Sequence, residues 1–377
     1  MSLGAPHQIT AGFLPLLDSA LLVAAKEVGF AAQEGVDLTL ARETSWANIR
    51  DRLIVGHFDA AHLLGPMAVA SALGVGHLRA AMIAPFALGL GGNAITVSLP
   101  LWEQMAGEGA SIGAGPYVQG KALARVVQSR ARSGLEPMTF GMVYPFSCHN
   151  YELRYWLAAV GIDPDRDVRL VVIPPPFIAD AMRTGQIDGF CVGEPWSSVA
   201  AEAGVGVIVT TATAIWPLSP EKVIGCRAAW AEENPDRLDA LIRALYRAAL
   251  WCEDPRNRAD LAHMLGASRY IGTAANVLQN ALGNRLSLAA GAPPVSIPDF
   301  YFMAKHHATF PWVSHALWFY SQMLRWHQVE EAVGDIGVVR NTYRPDIYRR
   351  ALASLRLDLP GSDSKVERFF DETLFVP

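Results

Sequence analysis

The residue types best suited to bind a small anion lie in two short segments of the chain. His149 follows Ser147 and opens a stretch with a helical pattern of apolar residues. The first N–H groups of a helix are free to donate hydrogen bonds, and the helix dipole makes that end partly positive. Lys222 follows a loop that contains Pro217 and Pro220, and proline stiffens a loop because its φ angle is fixed. A fixed lysine beside a helix N-terminus predicts an anion site.

Each of these residues also has a simpler explanation. His149 can cap or pack the helix without touching a ligand. Lys222 can lie on the surface in an ion pair with its neighbour Glu221. Cys148 next to His149 does not indicate a catalytic thiol, because adjacent residues do not normally face each other and no orienting acid is evident.

Strand and helix signals alternate along the chain, which is typical of an α/β protein. Strands are predicted for residues 9–13, 36–41, 59–63, 140–143, 168–173 and 189–192, with a crossing into a second lobe at 94–98 and a return to the first lobe from 205 onward. A helix is predicted over 148–159, and long helices follow Asn234-Pro235. No internal repeat or low-complexity linker is evident, so we expect two lobes joined by chain crossings.

Several short motifs resemble one family. They are the S-W-x-x-x-R-D pattern of 45–51, the G-G-N-A-I-T-V-S pattern of 91–98, the prolines of 174–176 and the P-E-K of 220–222. These motifs, in this order, resemble the nitrate and bicarbonate solute-binding proteins of ABC importers and the cytoplasmic nitrate/nitrite sensors built on the same fold. The resemblance extends from Ile9 to about Ala351.

The resemblance implies a type II periplasmic-binding-protein fold, with two lobes, a ligand cleft between them and extra C-terminal helices. We expect lobe 1 to comprise residues 1–95 plus 206–377, and lobe 2 to comprise residues 96–205. It also implies a ligand-binding set, namely Trp46, Gly92, Asn93, His149, Pro175 and Lys222. The family has glutamine where this chain has Asn93, and the shorter side chain leaves the identity of the anion open.

Glu194 does not fit a simple anion site, because a carboxylate repels an anion. We expect Glu194 to form a salt bridge across the hinge. The alternative is that it accepts a hydrogen bond from the O–H of bicarbonate, a group that nitrate lacks.

The function that follows is binding of nitrate or nitrite, with bicarbonate possible. The particular residues of these motifs resemble the sensors more than the importers, and no N-terminal leader is evident. Both observations favour a cytoplasmic sensor that signals to an RNA-binding antiterminator. The alternative is a periplasmic substrate-binding subunit that works with an ABC permease. A periplasmic location would apply if an N-terminal leader had been removed from the sequence.

Composition excludes other classes. The 377 residues carry a net charge of -5, and no basic domain predicts direct binding of nucleic acid. The four cysteines form no CxxC pair or zinc spacing, so we expect neither a metal site nor a cofactor. The cysteine-rich iron motif of pyrimidine-precursor synthases, enzymes that share this fold, is also absent. We therefore do not expect an enzyme.

Overall fold

Strands and short helices alternate along the first part of the chain, as the sequence pattern predicts. The computed structural model describes residues 6–76, 80–330 and 335–377. Its strands are β1 (His7–Phe13), β2 (Val36–Arg42), β3 (Ala60–Leu64), β4 (Met82–Ala87), β5 (Leu90–Gly91), β6 (Asn93–Ser98), β7 (Met138–Met142), β8 (Val168–Val172), β9 (Gly189–Gly193), β10 (Gly206–Thr211), β11 (Lys222–Arg227), β12 (Arg285–Leu286), β13 (Val295–Ser296), β14 (Tyr301–Phe302), β15 (Glu367–Arg368) and β16 (Leu374–Phe375).

The helices become longer after residue 234. They are α1 (Ala20–Glu27), α2 (Phe30–Gln33), α3 (Trp46–Ile54), α4 (Gly65–Ala72), α5 (Leu99–Gly107), α6 (Pro116–Arg132), α7 (Cys148–Ala159), α8 (Ile178–Arg183), α9 (Trp196–Glu202), α10 (Ala212–Ile215), α11 (Ala228–Glu233), α12 (Pro235–Glu253), α13 (Arg258–Gly266), α14 (Ala275–Leu282), α15 (Val313–Arg325), α16 (Ile336–Thr342) and α17 (Pro345–Leu352). Short 3-10 turns occupy Leu17–Ser19, Pro175–Phe177, Pro255–Asn257, Lys305–His307 and Ala353–Leu355. None of the helices in the described ranges is long and apolar enough to cross a membrane.

Two five-stranded sheets form the two lobes. The first has the order β2-β1-β3-β11-β4 and the second the order β10-β6-β9-β7-β8. In the first sheet β1 is parallel to β2 and β3, whereas β11 runs antiparallel to β3 and β4. The chain changes sheet between β4 and β6 and returns between β10 and β11. The division into 1–95 plus 206–377 and 96–205 stays a prediction.

The burial of the strands reflects their place in the sheets. Strands β3, β6, β9 and β10 are buried at every residue, as expected when both faces of a sheet are covered. In contrast, β2 lies at a sheet edge and exposes Asp37, Thr39 and Arg42 to varying degrees. The central strands β3, β6 and β9 and the edge strand β10 are thus inaccessible to solvent.

The C-terminal helices cover the first lobe. Helix α12 packs against α1 and α17, and α15 packs against α4 and α16. The chain then ends in the β15–β16 hairpin, which reaches the second lobe. There the phenol of Tyr155 on α7 lies 3.0 Å from Asp371 Oδ1. These elements confirm the predicted α/β fold with added C-terminal helices.

Candidate functional site

Lys222 lies at the centre of a buried polar cluster between the two sheets. It begins β11, and its side chain is 0% exposed. The Nζ atom lies 2.7 Å from Asp18 Oδ2 and 2.5 Å from Glu221 Oε1. It also lies 3.3 Å from His149 Nε2. The ion pair with Glu221 that we considered for a surface lysine does form, but in the interior of the protein.

We call this group the Lys222 cluster and define it as Asp18, His62, Asn93, His149, Glu152, Glu221 and Lys222. All of these side chains are buried, and they come from both lobes. The cluster contains the predicted residues Asn93, His149 and Lys222. Its other members did not appear in the predicted ligand-binding set.

Asp18 and His62 form the first-lobe side of the cluster. His62 Nε2 lies 2.9 Å from Asp18 Oδ1, and His62 Nδ1 accepts a hydrogen bond of 3.3 Å from the Leu14 N–H. An accepting Nδ1 places the proton of the neutral ring on Nε2, the nitrogen that faces Asp18. Burial lowers the pKa of His62, so the ring is neutral. Burial alone would raise the pKa of Asp18, but Lys222 and His62 together hold it below its usual value.

His149 comes from the second lobe. It is the second residue of α7, and the Ser147 side chain caps that helix by accepting a hydrogen bond of 3.1 Å from the Asn150 N–H. His149 Nε2 lies 3.4 Å from Glu221 Oε1, on the other lobe. Burial and the nearby Lys222 hold the pKa of His149 well below its usual value. The imidazole is therefore neutral, and it offers a donor from one of its two nitrogens.

Asn93 begins β6 and faces the same cluster. Its Nδ2 donates a hydrogen bond of 3.0 Å to Glu152 Oε2, so the amide N–H that we assigned to the anion is shared with a carboxyl group. Its Oδ1 is buried and has no hydrogen-bond partner among the described residues. Gly193 pairs with Asn93 in the sheet, and a Cβ at Gly193 would lie 3.1 Å from Lys222 Nζ and 3.2 Å from Asn93 Oδ1. The glycine keeps this space beside Lys222 free of a side chain.

Trp46 lies beside His62 on the first lobe. It is the first residue of α3, and Ser45 caps this helix by accepting a hydrogen bond of 3.2 Å from the Asn48 N–H. The indole is 1% exposed and meets the His62 ring edge-on at 5.1 Å. Within the described ranges its Nε1–H has no acceptor. Trp46 therefore adds an unused donor next to the Lys222 cluster.

Two predicted ligand-binding residues, Gly92 and Pro175, are not members of the cluster. Gly92 has a φ of 90°, in the left-handed region that favours glycine, and its carbonyl accepts a hydrogen bond of 2.9 Å from the Glu194 N–H. Pro175 is buried at the start of a 3-10 turn after β8. The ion pairs and hydrogen bonds that join the Lys222 cluster do not include Pro175.

Glu194 does not form the salt bridge that we expected across the hinge; in the described part of the chain its carboxylate has no cationic partner. Its Oε2 instead accepts a hydrogen bond of 3.4 Å from the Ser198 N–H in the first turn of α9. Burial raises its pKa to about 7. The Glu194 carbonyl does link the lobes, because it accepts a hydrogen bond of 2.8 Å from the Leu17 N–H.

Acidic groups outnumber cations in the cluster. Burial raises the pKa of Glu221 to about 7, against the opposing effect of Lys222. Burial and the nearby Glu221 raise the pKa of Glu152 to about 8. Lys222 is the one lysine or arginine in the cluster, and its pKa is raised by Asp18 and Glu221 although burial opposes this. Within the described ranges, no group of histidine, cysteine and acidic residues has the arrangement of a metal site.

Known proteins similar to this chain are solute-binding proteins and their transporter components. The chain is 32% identical to the nitrate/nitrite binding protein NrtA of Synechococcus elongatus over 380 residues, which cover 98% of this chain and 83% of that protein. It is 28% identical to the bicarbonate-binding protein CmpA of a Synechococcus strain, with 98% and 84% covered. It is also 33% identical to the nitrate import ATP-binding protein NrtC of Synechocystis; the match covers 97% of this chain but only 53% of NrtC, so the chain spans about half of that protein's length.

The fold agrees with that of a solved relative. The crystal structure of the periplasmic nitrate-binding protein NrtA from Synechocystis superposes with a TM-score of 0.90 at 27% identity, and the match covers 98% of this chain and 95% of that one. This confirms the periplasmic-binding-protein fold and the resemblance to nitrate and bicarbonate solute-binding proteins. NrtA and CmpA are named as binding proteins, which agrees with the prediction that the chain is not an enzyme.

The predicted cytoplasmic location is wrong. The solved relative is a periplasmic protein, and the relatives with known names are importer components rather than sensors. The prediction relied on the residues at which this sequence begins, and the start of a sequence does not report the compartment. The antiterminator partner, which depended on the sensor interpretation, is likewise unsupported.

Residues 4–266 match the NMT1-like family model, and the chain therefore belongs to the NMT1-like family.

Proposed function

We propose that this protein is the substrate-binding subunit of an ABC importer, located in the periplasm, and that it binds nitrate or nitrite at the Lys222 cluster. The observation that carries the proposal is the meeting of Lys222 and His149. They come from different lobes, are both fully buried, and lie 3.3 Å apart. An anion that binds to both residues contacts both lobes, and such contacts favour the closed form.

The donors that would bind the anion are Lys222 Nζ, a ring nitrogen of His149 and the indole N–H of Trp46. Hydrogen bonds to a charged group contribute about 1.5–3 kcal/mol each. Two or three of them give an affinity on the order of micromolar after the cost of association. Gly92, Asn93 and Pro175 would line the same space.

Bicarbonate is the second candidate, because the cluster contains buried acceptors without partners among the described residues. These are Asn93 Oδ1 and Glu221 Oε2. Bicarbonate carries an O–H that can donate to such an atom, whereas nitrate has only acceptors. The similarity to both NrtA and CmpA is consistent with either anion.

Calorimetric titration of the purified protein with nitrate, nitrite and bicarbonate tests the proposal. We expect binding of at least one of these anions, and loss of that binding in Lys222→Ala. The matched control is Lys305→Ala, which removes an exposed lysine outside the cluster. Unchanged affinity in Lys222→Ala would contradict the site, and binding of bicarbonate alone would identify it as the substrate.

The importer role requires a permease partner, which co-purification from membranes would test.

A further inference from the structure

We propose that Glu221 competes with the bound anion for Lys222, so that a monoanion such as nitrate displaces the Glu221 carboxylate and binds together with one proton. This inference rests on the proposed function, because it describes how the same cluster accepts its ligand. The proton comes from solvent and ends on the displaced Glu221 carboxyl group.

The geometry shows that each N–H donor of Lys222 already has a partner. Its Nζ is paired with Asp18 Oδ2 at 2.7 Å and with Glu221 Oε1 at 2.5 Å, and its third neighbour is His149 Nε2 at 3.3 Å. An ammonium group has three N–H donors, and three partners account for them. An incoming anion can therefore contact Lys222 only if one of these partners moves.

Of the two carboxylates paired with Lys222, Glu221 is the one that can be released at the lower cost. Asp18 is held from two directions, by Lys222 and by His62. Glu221 contacts Lys222 and His149 through Oε1 alone, and its Oε2 has no partner among the described residues. The pKa directions agree, because the pKa of Asp18 is held below its usual value whereas burial raises that of Glu221 to about 7.

Charge balance requires the proton. With Asp18 and Glu221 both ionised, two negative charges surround the one lysine. A nitrate ion would add a third in a site without solvent, where like charges repel strongly. Protonation of Glu221 removes one charge as the anion brings one, so the total charge of the site does not change.

The other ionisable groups around Glu221 do not replace it as the proton acceptor. His149 is neutral, and protonating it would add a buried cation next to Lys222, which the lowering of its pKa opposes. Burial raises the pKa of Glu152 to about 8, so this group is mostly protonated at about pH 7 and half protonated at about pH 8, where the Glu221→Gln variant separates its uptake from that of Glu221. Burial also raises the pKa of the surrounding thiols and phenols, which remain uncharged; these are Cys148, Cys191, Tyr301 and Tyr343.

Calorimetric titration with nitrate in two buffers of different ionisation enthalpy tests the inference, because the difference in the measured binding enthalpy gives the number of protons taken up per nitrate. For a group that titrates near pH 7, proton uptake approaches one per nitrate at about pH 8 and is small at about pH 6. The same linkage makes the dissociation constant about ten-fold larger at about pH 8 than at about pH 6. Binding without proton uptake at about pH 8 would overturn the inference but leave the proposed function intact.

Two variants assign the proton to its group. Glu221→Gln should bind nitrate with no proton uptake and with an affinity that hardly changes with pH. Glu194→Gln is the matched control, because it removes another buried carboxyl group that is not paired with Lys222, and it should retain the uptake. Uptake that persists in Glu221→Gln would overturn the assignment. If Glu221→Gln does not fold, the two-buffer measurement on the unmodified protein still shows whether nitrate binds together with a proton. No nitrate binding at any pH would overturn the proposed function and this inference together.

Discussion

Lys222 and Asp18 form a fully buried ion pair, with 2.7 Å between Nζ and Oδ2. Asp18 lies in the 3-10 turn before α1, and Lys222 lies at the start of β11. The pair is therefore built within the first lobe, and His149 of α7 and Asn93 of β6 in the second sheet lie around it. Removal of one partner of a buried pair leaves the other charge without compensation, which costs more than the pair itself contributes.

Lys222→Met should lower the free energy of unfolding by about 3–5 kcal/mol, because Asp18 then remains as a buried unpaired charge. Adding Asp18→Asn to this variant should recover part of the loss, since the double variant has no buried charge at either position. Urea denaturation of the three proteins measures both effects. In the control Lys305→Met, where the lysine is exposed, the change should be under about 1 kcal/mol. A Lys222→Met variant as stable as the unmodified protein would show that the pair is not formed.

Gly193→Ala should weaken anion binding with little effect on folding. The added methyl group would lie 3.1 Å from Lys222 Nζ, a distance that the flexible lysine can adjust but that fills the space beside it. We expect the dissociation constant for nitrate to rise about ten-fold or more, equivalent to the loss of one good hydrogen bond. Gly107→Ala is the control, because a Cβ there meets no atom within 4 Å. Equal nitrate affinity in both variants would place the ligand away from Gly193.

The sequence allowed a good prediction of local structure where caps and periodicity agree. The helix predicted over 148–159 is α7, and Ser147 and Ser45 cap α7 and α3 in the structure. Such signals are local, since a serine hydroxyl and the N–H three residues later lie in the same turn. The long C-terminal helices follow from the same kind of pattern.

The acidic half of the cluster could not be predicted in this way. Asp18 and His62 are single polar residues within apolar segments, and such segments indicate core elements rather than a site. Their pairing with Lys222 depends on β11 lying next to β3 in the sheet, which is a long-range contact. One signal was available, namely that an ionisable residue within an apolar run must find a partner when it is buried. Glu152, three residues after His149 on α7, follows the same reasoning.

Glu152→Gln should change how stability depends on pH. Burial, together with Glu221, raises the pKa of Glu152 to about 8, so the folded protein binds this proton more tightly than the unfolded chain does. The stability that Glu152 contributes is therefore present below its unfolded pKa, near pH 4.5, and is lost as the pH rises through about 8. Glutamine keeps an acceptor for the Asn93 amide but cannot ionise.

The expected result is that Glu152→Gln gains stability relative to the unmodified protein as the pH rises from about 5 to about 9. Comparison at equal pH cancels the effects of the buried histidines, which both proteins share. Thermal unfolding at three pH values is sufficient to measure the trend. Glu103→Gln, at an exposed position, should follow the unmodified protein throughout. A stability difference that does not vary with pH would contradict an ionisable, buried Glu152.

Nitrate should make the protein more compact in solution. Every side chain of the Lys222 cluster is buried, so an ion can reach Lys222 only when the lobes separate, and the structure shows them together. The ligand-free protein should therefore sample open forms, and a ligand that contacts both lobes should reduce them. We expect the radius of gyration from small-angle scattering to fall at saturating nitrate. Lys222→Ala should show no such change, and unchanged scattering of the unmodified protein would contradict closure on the ligand.

Tyr155→Phe should make the closed form less stable, because the C-terminal segment also holds the lobes together. The Tyr155 hydroxyl on α7 contacts Asp371, and its ring lies 4.7 Å from that of Phe369. The variant keeps the ring contact and loses only the hydrogen bond, which is worth about 1 kcal/mol. Nitrate affinity should therefore fall about five-fold if this bond forms only in the closed form. The control is Tyr117→Phe, at an exposed tyrosine on α6. If Tyr155→Phe binds nitrate as tightly as this control, the hydrogen bond is equally present in the open form, and the C-terminal hairpin moves with the second lobe.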